Sequence, residues 1–73
     1  MINNMEQQID KWYEIYIVDE TNLYTTMTRF DDTMLLLQEY GHVDTIVINL
    51  CYTGGSFETI YNKTNGIVLK DIK

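Results

Sequence analysis

Three residues of this chain carry the side chains of a cysteine nucleophile system: His42, Asp44 and Cys51. In such a system the thiol lies within hydrogen-bond reach of a base, and a third group orients that base. His42 follows the end of a predicted helix and Cys51 lies late in an apolar strand, so no pattern brings them together. A buried structural cysteine and a solvated histidine near a helix C-terminus are the better interpretation. We therefore expect no enzymatic activity.

Other residue types with possible chemistry have simpler explanations. Adjacent acids at a helix start, Asp31 and Asp32, are typical of capping and dipole compensation rather than of an acid/base pair. One histidine and one cysteine without repeated spacing predict no metal site. The turn at Gly54, Gly55 and Ser56 lacks the lysine and following helix of a phosphate-binding loop. We expect no catalytic residue, metal or cofactor.

The distribution of charge is the most informative feature of the sequence. Residues 1–60 carry ten acidic and two basic residues, a net charge of −8, whereas residues 61–73 carry three lysines and one aspartate, a net charge of +2. An acidic protein repels nucleic acid and is attracted to proteins with basic grooves. The charge therefore favours a protein partner with a basic groove, and it argues against direct binding of nucleic acid or membrane.

Size and composition limit the architecture. A chain of 73 residues with 45% hydrophobic residues is large enough for one small core, so residues 1–73 are predicted to form a single domain. The single Cys51 excludes an internal disulfide. No apolar run approaches the roughly 20 residues of a membrane span, and the N-terminus lacks the pattern of a secretory signal. These features predict a cytoplasmic protein.

The first half of the chain predicts a helix followed by a hairpin. Ile2, Met5, Ile9 and Trp12 are spaced as one stripe of a helix. Residues 13–19 and 23–30 are rich in β-branched and aromatic side chains and predict two strands, joined by the polar residues 19–22.

Residues 31–41 carry the clearest local signature. Asp31 is placed to cap a second helix, with Phe30 and Leu35 spaced as a hydrophobic staple. The apolar run from Met34 to Leu37 and Tyr40 follow, and Gly41 is predicted to end the helix in a left-handed conformation.

Three further strands are predicted at residues 45–52, 57–62 and 67–72. The first is the most apolar and is expected to be central, and Asn65 with Gly66 forms a favoured hairpin turn before the last. The predicted order is α-β-β-α-β-β-β, which is an α+β class. We expect a two-layer domain with an antiparallel sheet of about five strands and two short helices.

The acidic residues provide candidate partner-binding positions. Paired acids lie at element ends, and Glu14 lies on an exposable strand face, where alternate carboxylates approach the spacing of phosphates. Exposed tyrosine or methionine side chains would supply apolar anchors. The predicted partner-binding residues are Glu14, Asp19, Glu20, Asp31, Asp32, Tyr24, Met34 and Tyr40.

The chain resembles the short phage inhibitors of uracil-DNA glycosylase over residues 13–50. The resemblance lies in a tyrosine-rich hairpin, the acidic helix start at Asp31-Asp32, the helix end at Tyr40-Gly41, and the strand that follows Asp44. It implies a DNA mimic that occupies the enzyme's DNA-binding cleft and receives an apolar loop in a hydrophobic pocket. The predicted N-terminal helix and residues 54–72 depart from that pattern. Anti-CRISPR proteins, also small and acidic, fit the composition without a matching motif.

Two hypotheses follow from these observations. In the first, the protein is an acidic inhibitor that binds a basic host DNA-handling enzyme, either a uracil-DNA glycosylase or a CRISPR nuclease, with the acids in place of phosphates. In the second, it is a self-associating interaction or regulatory module of a phage or mobile element, without enzymatic activity. Its homodimer seam would be the surplus apolar surface of residues 34–37.

Overall fold

The computed structural model describes residues 10–72 of the chain. The elements within this range are β1 (Lys11–Val18), β2 (Leu23–Met27), α1 (Phe30–Glu39), β3 (Thr45–Tyr52), β4 (Phe57–Thr64) and β5 (Ile67–Lys70). The five strands form one antiparallel sheet in the order β2-β1-β3-β4-β5. The predicted five-stranded antiparallel sheet and the α+β character are confirmed.

The predicted number of helices needs correction, because residues 10–72 contain one helix and not two. Ile2, Met5 and Ile9 of the predicted N-terminal stripe lie outside the described residues. Trp12, the last residue of that stripe, lies in β1. Its aromatic ring and the β-branched residues that follow it suit an extended strand, so β1 begins two residues earlier than predicted.

Alternation along β1 and β3 builds the core. Tyr13, Ile15 and Ile17 are buried on β1, and Ile17 and Ile15 lie opposite Ile46 and Ile48 of β3. Because successive side chains of a strand point to opposite faces, these residues share one face of the sheet. The prediction that residues 45–52 form the central strand is confirmed, with the same bounds.

The β1–β2 hairpin is also confirmed, and its turn is closed by Asp19. The Oδ1 atom of Asp19 accepts hydrogen bonds from the backbone N–H of Thr21 at 2.9 Å and from its hydroxyl at 2.8 Å. Asn22 follows with a φ of 52°, in the left-handed region that asparagine tolerates. The side chain of Asp19 thus stabilises the turn with hydrogen bonds that the backbone itself does not supply.

The start of α1 differs from the prediction. The helix begins at Phe30, its N-cap residue is Arg29, and no side chain caps it, so Asp31 lies in the first turn with Asp32. Thr33, fully buried, donates a hydrogen bond from its hydroxyl to the carbonyl of Arg29 at 3.0 Å. The acids still meet the positive end of the helix dipole, which remains favourable without a cap bond.

The end of α1 differs as well. The C-cap residue is Tyr40, and Gly41 does not have a positive φ, so the predicted left-handed termination is wrong. No basic residue lies in the last helical turn. Instead, Lys63 of β4 donates a hydrogen bond to the carbonyl of Gly41 at 2.8 Å. A distant lysine therefore supplies the positive charge that a helix C-terminus favours.

The last hairpin has the predicted turn but a different register. Asn65 and Gly66 have φ values of 52° and 83°, as a type I′ turn requires. Asn62, rather than Tyr61, lies opposite Lys70, because the register shifts between Asn62 and Lys63. An irregularity in β4 also occurs opposite Ile48 and Asn49 of β3.

The helix lies over only part of the sheet. It approaches β1 and β2 among the described strands, while β3 contacts β1 and β4. Its half-buried side chains Leu36 and Leu37 pack against the core cluster. The same side of β4 and β5 therefore lacks a helical cover within residues 10–72. No helix in that range combines the length and apolarity needed to span a membrane.

Candidate protein-binding site

An open cleft forms where the helical layer stops. Its walls are the residues Tyr13, Phe30, Leu50, Glu58, Ile60, Lys70, Asp71 and Ile72. The first residue of α1, Phe30, packs its ring 6.0 Å from the ring of Tyr13 in a tilted arrangement. The side of the cleft away from the helix comes from β4, from Lys70 at the end of β5 and from the two residues that follow. We call this surface the Phe30 cleft.

Carboxylates lie along the mouth of the Phe30 cleft. Glu58 and Asp71 belong to its lining and are exposed, and Asp31 and Asp32 directly follow Phe30 in the first helical turn. Asp32 approaches Arg29 at 3.7 Å, but both side chains are exposed, so this ion pair contributes little stability. An apolar centre with a charged, solvated rim is the arrangement that protein interfaces use.

A second concave surface is acidic rather than apolar. The groove between the β1–β2 turn and the loop after α1 is lined by Val18, Asp19, Glu20, Thr21, His42, Val43 and Asp44. Three carboxylates, those of Asp19, Glu20 and Asp44, share this groove near the C-terminal end of the helix. We call it the acidic groove, and its field attracts cationic side chains.

Asp19 is held in its ionised form within the acidic groove. The hydroxyl and backbone N–H of Thr21 both bond to the Asp19 carboxylate and lower its pKa. A carboxylate that accepts several hydrogen bonds favours the charged form. The charge of Asp19 is thus fixed in position by the turn that it closes.

Glu14 lies elsewhere, on the sheet face opposite the helix. It is half-buried, and its two oxygens accept hydrogen bonds from the hydroxyls of Tyr24 at 3.1 Å and Tyr16 at 3.4 Å. The two tyrosine rings are 4.9 Å apart. The hydrogen bond to Glu14 raises the pKa of Tyr24, and burial followed by the charge of Glu14 raises that of Tyr16. Glu14 is therefore engaged within the protein.

The predicted apolar anchors differ in their exposure. Tyr24 is 54% exposed, whereas Met34 is half-buried in a shallow groove of the helix surface. Tyr40 packs against the core cluster, and its ring stacks on that of His42 at 6.5 Å. Within the apolar run, Leu35 is the residue that α1 exposes most, at 64%.

The predicted acids do not form one continuous row. Tyr13, the third residue of β1, lies beside Phe30, and Val18 at the end of the same strand lies beside Asp19. With about 3.4 Å per residue, Tyr13 and Val18 are roughly 17 Å apart along the strand. The pair Asp31-Asp32 therefore lies at one end of the sheet and the pair Asp19-Glu20 at the other, with Glu14 on the opposite face.

Sequence reasoning missed most of the Phe30 cleft. Leu50, Glu58, Ile60 and Ile72 come from strands that were assigned without knowledge of where the helix would lie. The predicted staple named Phe30 but placed it wrongly before the cap, because the N-cap is Arg29 and Phe30 is the first residue of the helix. The remaining residues carried no local signal, because the cleft exists only where the helical layer ends.

The residues with nucleophile chemistry are separated in the fold. His42 and Asp44 line the acidic groove before β3 begins, while Cys51 lies near the far end of β3 opposite Trp12. Burial, followed by a hydrogen bond and the charge of Glu14, raises the pKa of the Cys51 thiol, which disfavours the reactive thiolate. Within residues 10–72, no cluster of three or more histidine, cysteine or acidic side chains is arranged to hold a metal ion.

No protein-family model, curated protein sequence or solved structure matches this chain.

Proposed function

We propose that the protein is an acidic inhibitor that binds a basic DNA-handling enzyme of the host cytoplasm stoichiometrically. A uracil-DNA glycosylase is the first candidate target and a CRISPR nuclease the second. The observation that carries this proposal is the Phe30 cleft, an open apolar surface with carboxylates along its mouth. An enzyme that binds DNA offers the complement, since its cleft is basic and its walls hold apolar side chains.

The apolar part of the cleft provides the affinity. An apolar side chain of the target, inserted between Phe30 and Ile60, is removed from water, as the central contacts of protein interfaces are. Phe30 is 43% exposed and so has area to lose on binding. The carboxylates of Glu58 and Asp71 belong to the lining of the cleft, and Asp31 and Asp32 follow Phe30 in the first helical turn. We expect basic groups of the target that normally hold phosphates to contact these carboxylates.

The acidic groove has a different task. It lies at the far end of the sheet, so it contacts only an extended partner, but its charge acts over about one Debye length of 8–10 Å. Asp19, Glu20 and Asp44 therefore steer the encounter and raise the association rate more than they slow dissociation. The two acidic regions divide steering and docking between them.

A direct test uses purified bacterial uracil-DNA glycosylase and a uracil-excision assay. Increasing amounts of the protein should abolish excision at a fixed molar ratio, and high salt should weaken the inhibition. The Asp31→Asn/Asp32→Asn variant should mainly raise the dissociation rate. The Asp19→Asn/Glu20→Gln variant changes the net charge equally and should mainly lower the association rate.

A matched aromatic pair tests the apolar part of the cleft. Phe30→Ala should weaken inhibition at least tenfold, whereas Phe57→Ala, which removes an even more exposed ring (65%) from β4, should not. Circular dichroism must show that both variants are folded. Inhibition that is indifferent to Phe30, Asp31 and Asp32 would contradict the proposed site, and no inhibition of either class of enzyme would contradict the proposed function.

A further inference from the structure

The β5 edge of the sheet is unusually apolar. All four residues of β5 are exposed, and its three apolar side chains Ile67, Val68 and Leu69 are 62%, 48% and 65% exposed. β5 is the last strand in the sheet order, so no described strand covers its outer side. An edge that offers unpaired backbone groups together with apolar side chains is a template for another strand.

The β2 edge at the other side of the sheet is different. Exposed and half-buried residues alternate along β2, and its one aromatic side chain, Tyr24, is hydrogen-bonded to Glu14. The acidic pair Asp19-Glu20 precedes it. A second copy of a chain with net charge −6 would be repelled at that edge. At β5 the nearest charge on the strand itself is the cation Lys70.

Charged residues lie near both ends of β5. Lys70 ends the strand and Asp71 follows it, while Asp44 lies beside the turn that begins the strand. The N–H of Gly66 donates to the Asp44 carbonyl at 2.9 Å, and a Cβ placed on Gly66 would lie 3.9 Å from the Asp44 carboxylate. An antiparallel arrangement of two β5 strands reverses one relative to the other. It therefore sets Lys70 of each copy towards Asp44 of the other.

We propose that β5 pairs with β5 of a second copy, antiparallel about a two-fold axis, to form a continuous ten-stranded sheet. The three apolar side chains of one copy pack against those of the other, and the two reciprocal Lys70–Asp44 contacts fix the direction. Such an interface is isologous and closes as a dimer. This inference does not rest on the proposed inhibitory function, because it is argued from the exposed apolar side chains of β5. Its two charged residues do belong to the proposed binding surfaces, Lys70 to the Phe30 cleft and Asp44 to the acidic groove.

A matched pair of leucines tests the interface by sedimentation equilibrium. Leu69 of β5 and Leu35 of α1 are 65% and 64% exposed, so lysine at either position changes exposed area and charge alike. The wild type and Leu35→Lys should be dimers, and Leu69→Lys should be a monomer with an unchanged circular dichroism spectrum. A monomeric wild type would overturn the proposal, and so would a dimer that Leu35→Lys alone disrupts, which would place the seam on the helix.

Charge exchange tests the direction of pairing. Lys70→Asp and Asp44→Lys should each raise the dimer dissociation constant at least tenfold, because each creates two like-charge contacts across the interface. The double variant should recover wild-type dimerisation. Additive weakening in the double variant would overturn the antiparallel arrangement.

Hydrogen exchange on the wild-type protein tests the dimer without any substitution, so a folding defect of a variant cannot explain the result. Exchange at the β5 amides that face the free edge should slow as protein concentration rises, whereas exchange in β2 should stay constant. Concentration-independent exchange along β5 would contradict the dimer. The outcome is independent of the glycosylase assay, so either proposal can fail alone.

Discussion

The two halves of the sheet differ in how much of their side-chain surface is buried. Where α1 lies over β1 and β2, side chains such as Ile15 and Ile17 are buried completely. Where that cover ends, β4 and β5 leave a cleft and an apolar edge, with Leu69 65% exposed. A chain of this length can bury one side of a sheet only in part. The comparison suggests that the covered half provides stability and the uncovered half provides contact surface.

The two halves also differ in charge. The acidic groove and the acidic helix start flank the covered half, while the uncovered half combines Lys63 and Lys70 with the carboxylates of Glu58 and Asp71. Lys63 reaches across to the end of α1 and bonds to Gly41, so one of these cations supports the helix. Lys70 lines the Phe30 cleft and ends the exposed edge.

The largest difference between the halves should appear on truncation of matched isoleucines. Ile15→Ala in β1 removes a fully buried side chain and should lower the free energy of unfolding by about 2–5 kcal/mol. Ile67→Ala in β5, 62% exposed, should cost less than about 0.5 kcal/mol in the monomer. Urea denaturation at low protein concentration measures both. Equal losses in the free energy of unfolding would show that Ile67 is buried in the monomer and would contradict the proposed difference between the two halves.

A smaller effect is expected from the buried hydroxyl beneath α1. Thr33→Val keeps the shape of the side chain but loses the hydrogen bond to the Arg29 carbonyl, which should cost about 1 kcal/mol. Thr26→Val, at an exposed position of β2, is the control and should be nearly neutral. If Thr33→Val were equally neutral in urea denaturation, the bond would not anchor the helix start.

The turn that leads into β5 should show a similar cost. Gly66 has a φ of 83°, so Gly66→Ala forces a Cβ into the left-handed region and should destabilise by about 1 kcal/mol. Gly54→Ala is the matched control, because Gly54 has no positive φ and its Cβ would meet open space. Thermal unfolding of the two variants compares them. A stable Gly66→Ala variant would mean that the last hairpin tolerates another turn.

The smallest effect concerns the ionisation of Tyr24, on the sheet face opposite the helix. The pKa of Tyr24 is raised by its bond to Glu14, so the folded state keeps the phenol proton longer than the unfolded chain does. The associated stabilisation is complete below the ordinary phenol pKa of about 10 and is lost as pH rises through the folded pKa. Glu14→Gln should lower the apparent tyrosine pKa in an ultraviolet titration, while Glu39→Gln should not.

The sequence predicted the strands better than the surfaces. Alternation and β-branched residues identified β1 and β3, and Asn65-Gly66 identified the last turn, because these signals are local. The N-cap at Asp31 was wrong, since Thr33 bonds back to Arg29 and the helix starts two residues earlier, at Phe30. The predicted acids do not share one surface, because which carboxylates lie together depends on the order of the strands in the sheet. The Phe30 cleft depends on the position of the helix over the sheet, which no local pattern encodes.

The most direct test of the central claim is displacement of DNA from the proposed target. Labelled uracil-containing duplex is bound to bacterial uracil-DNA glycosylase, and fluorescence anisotropy follows its release as the protein is added. We predict complete release at a fixed molar ratio, weakened by salt and by Phe30→Ala. DNA that stays bound at a large excess of the protein, with the same result for a CRISPR nuclease and its target duplex, would contradict the proposal that this chain occupies a DNA-binding cleft.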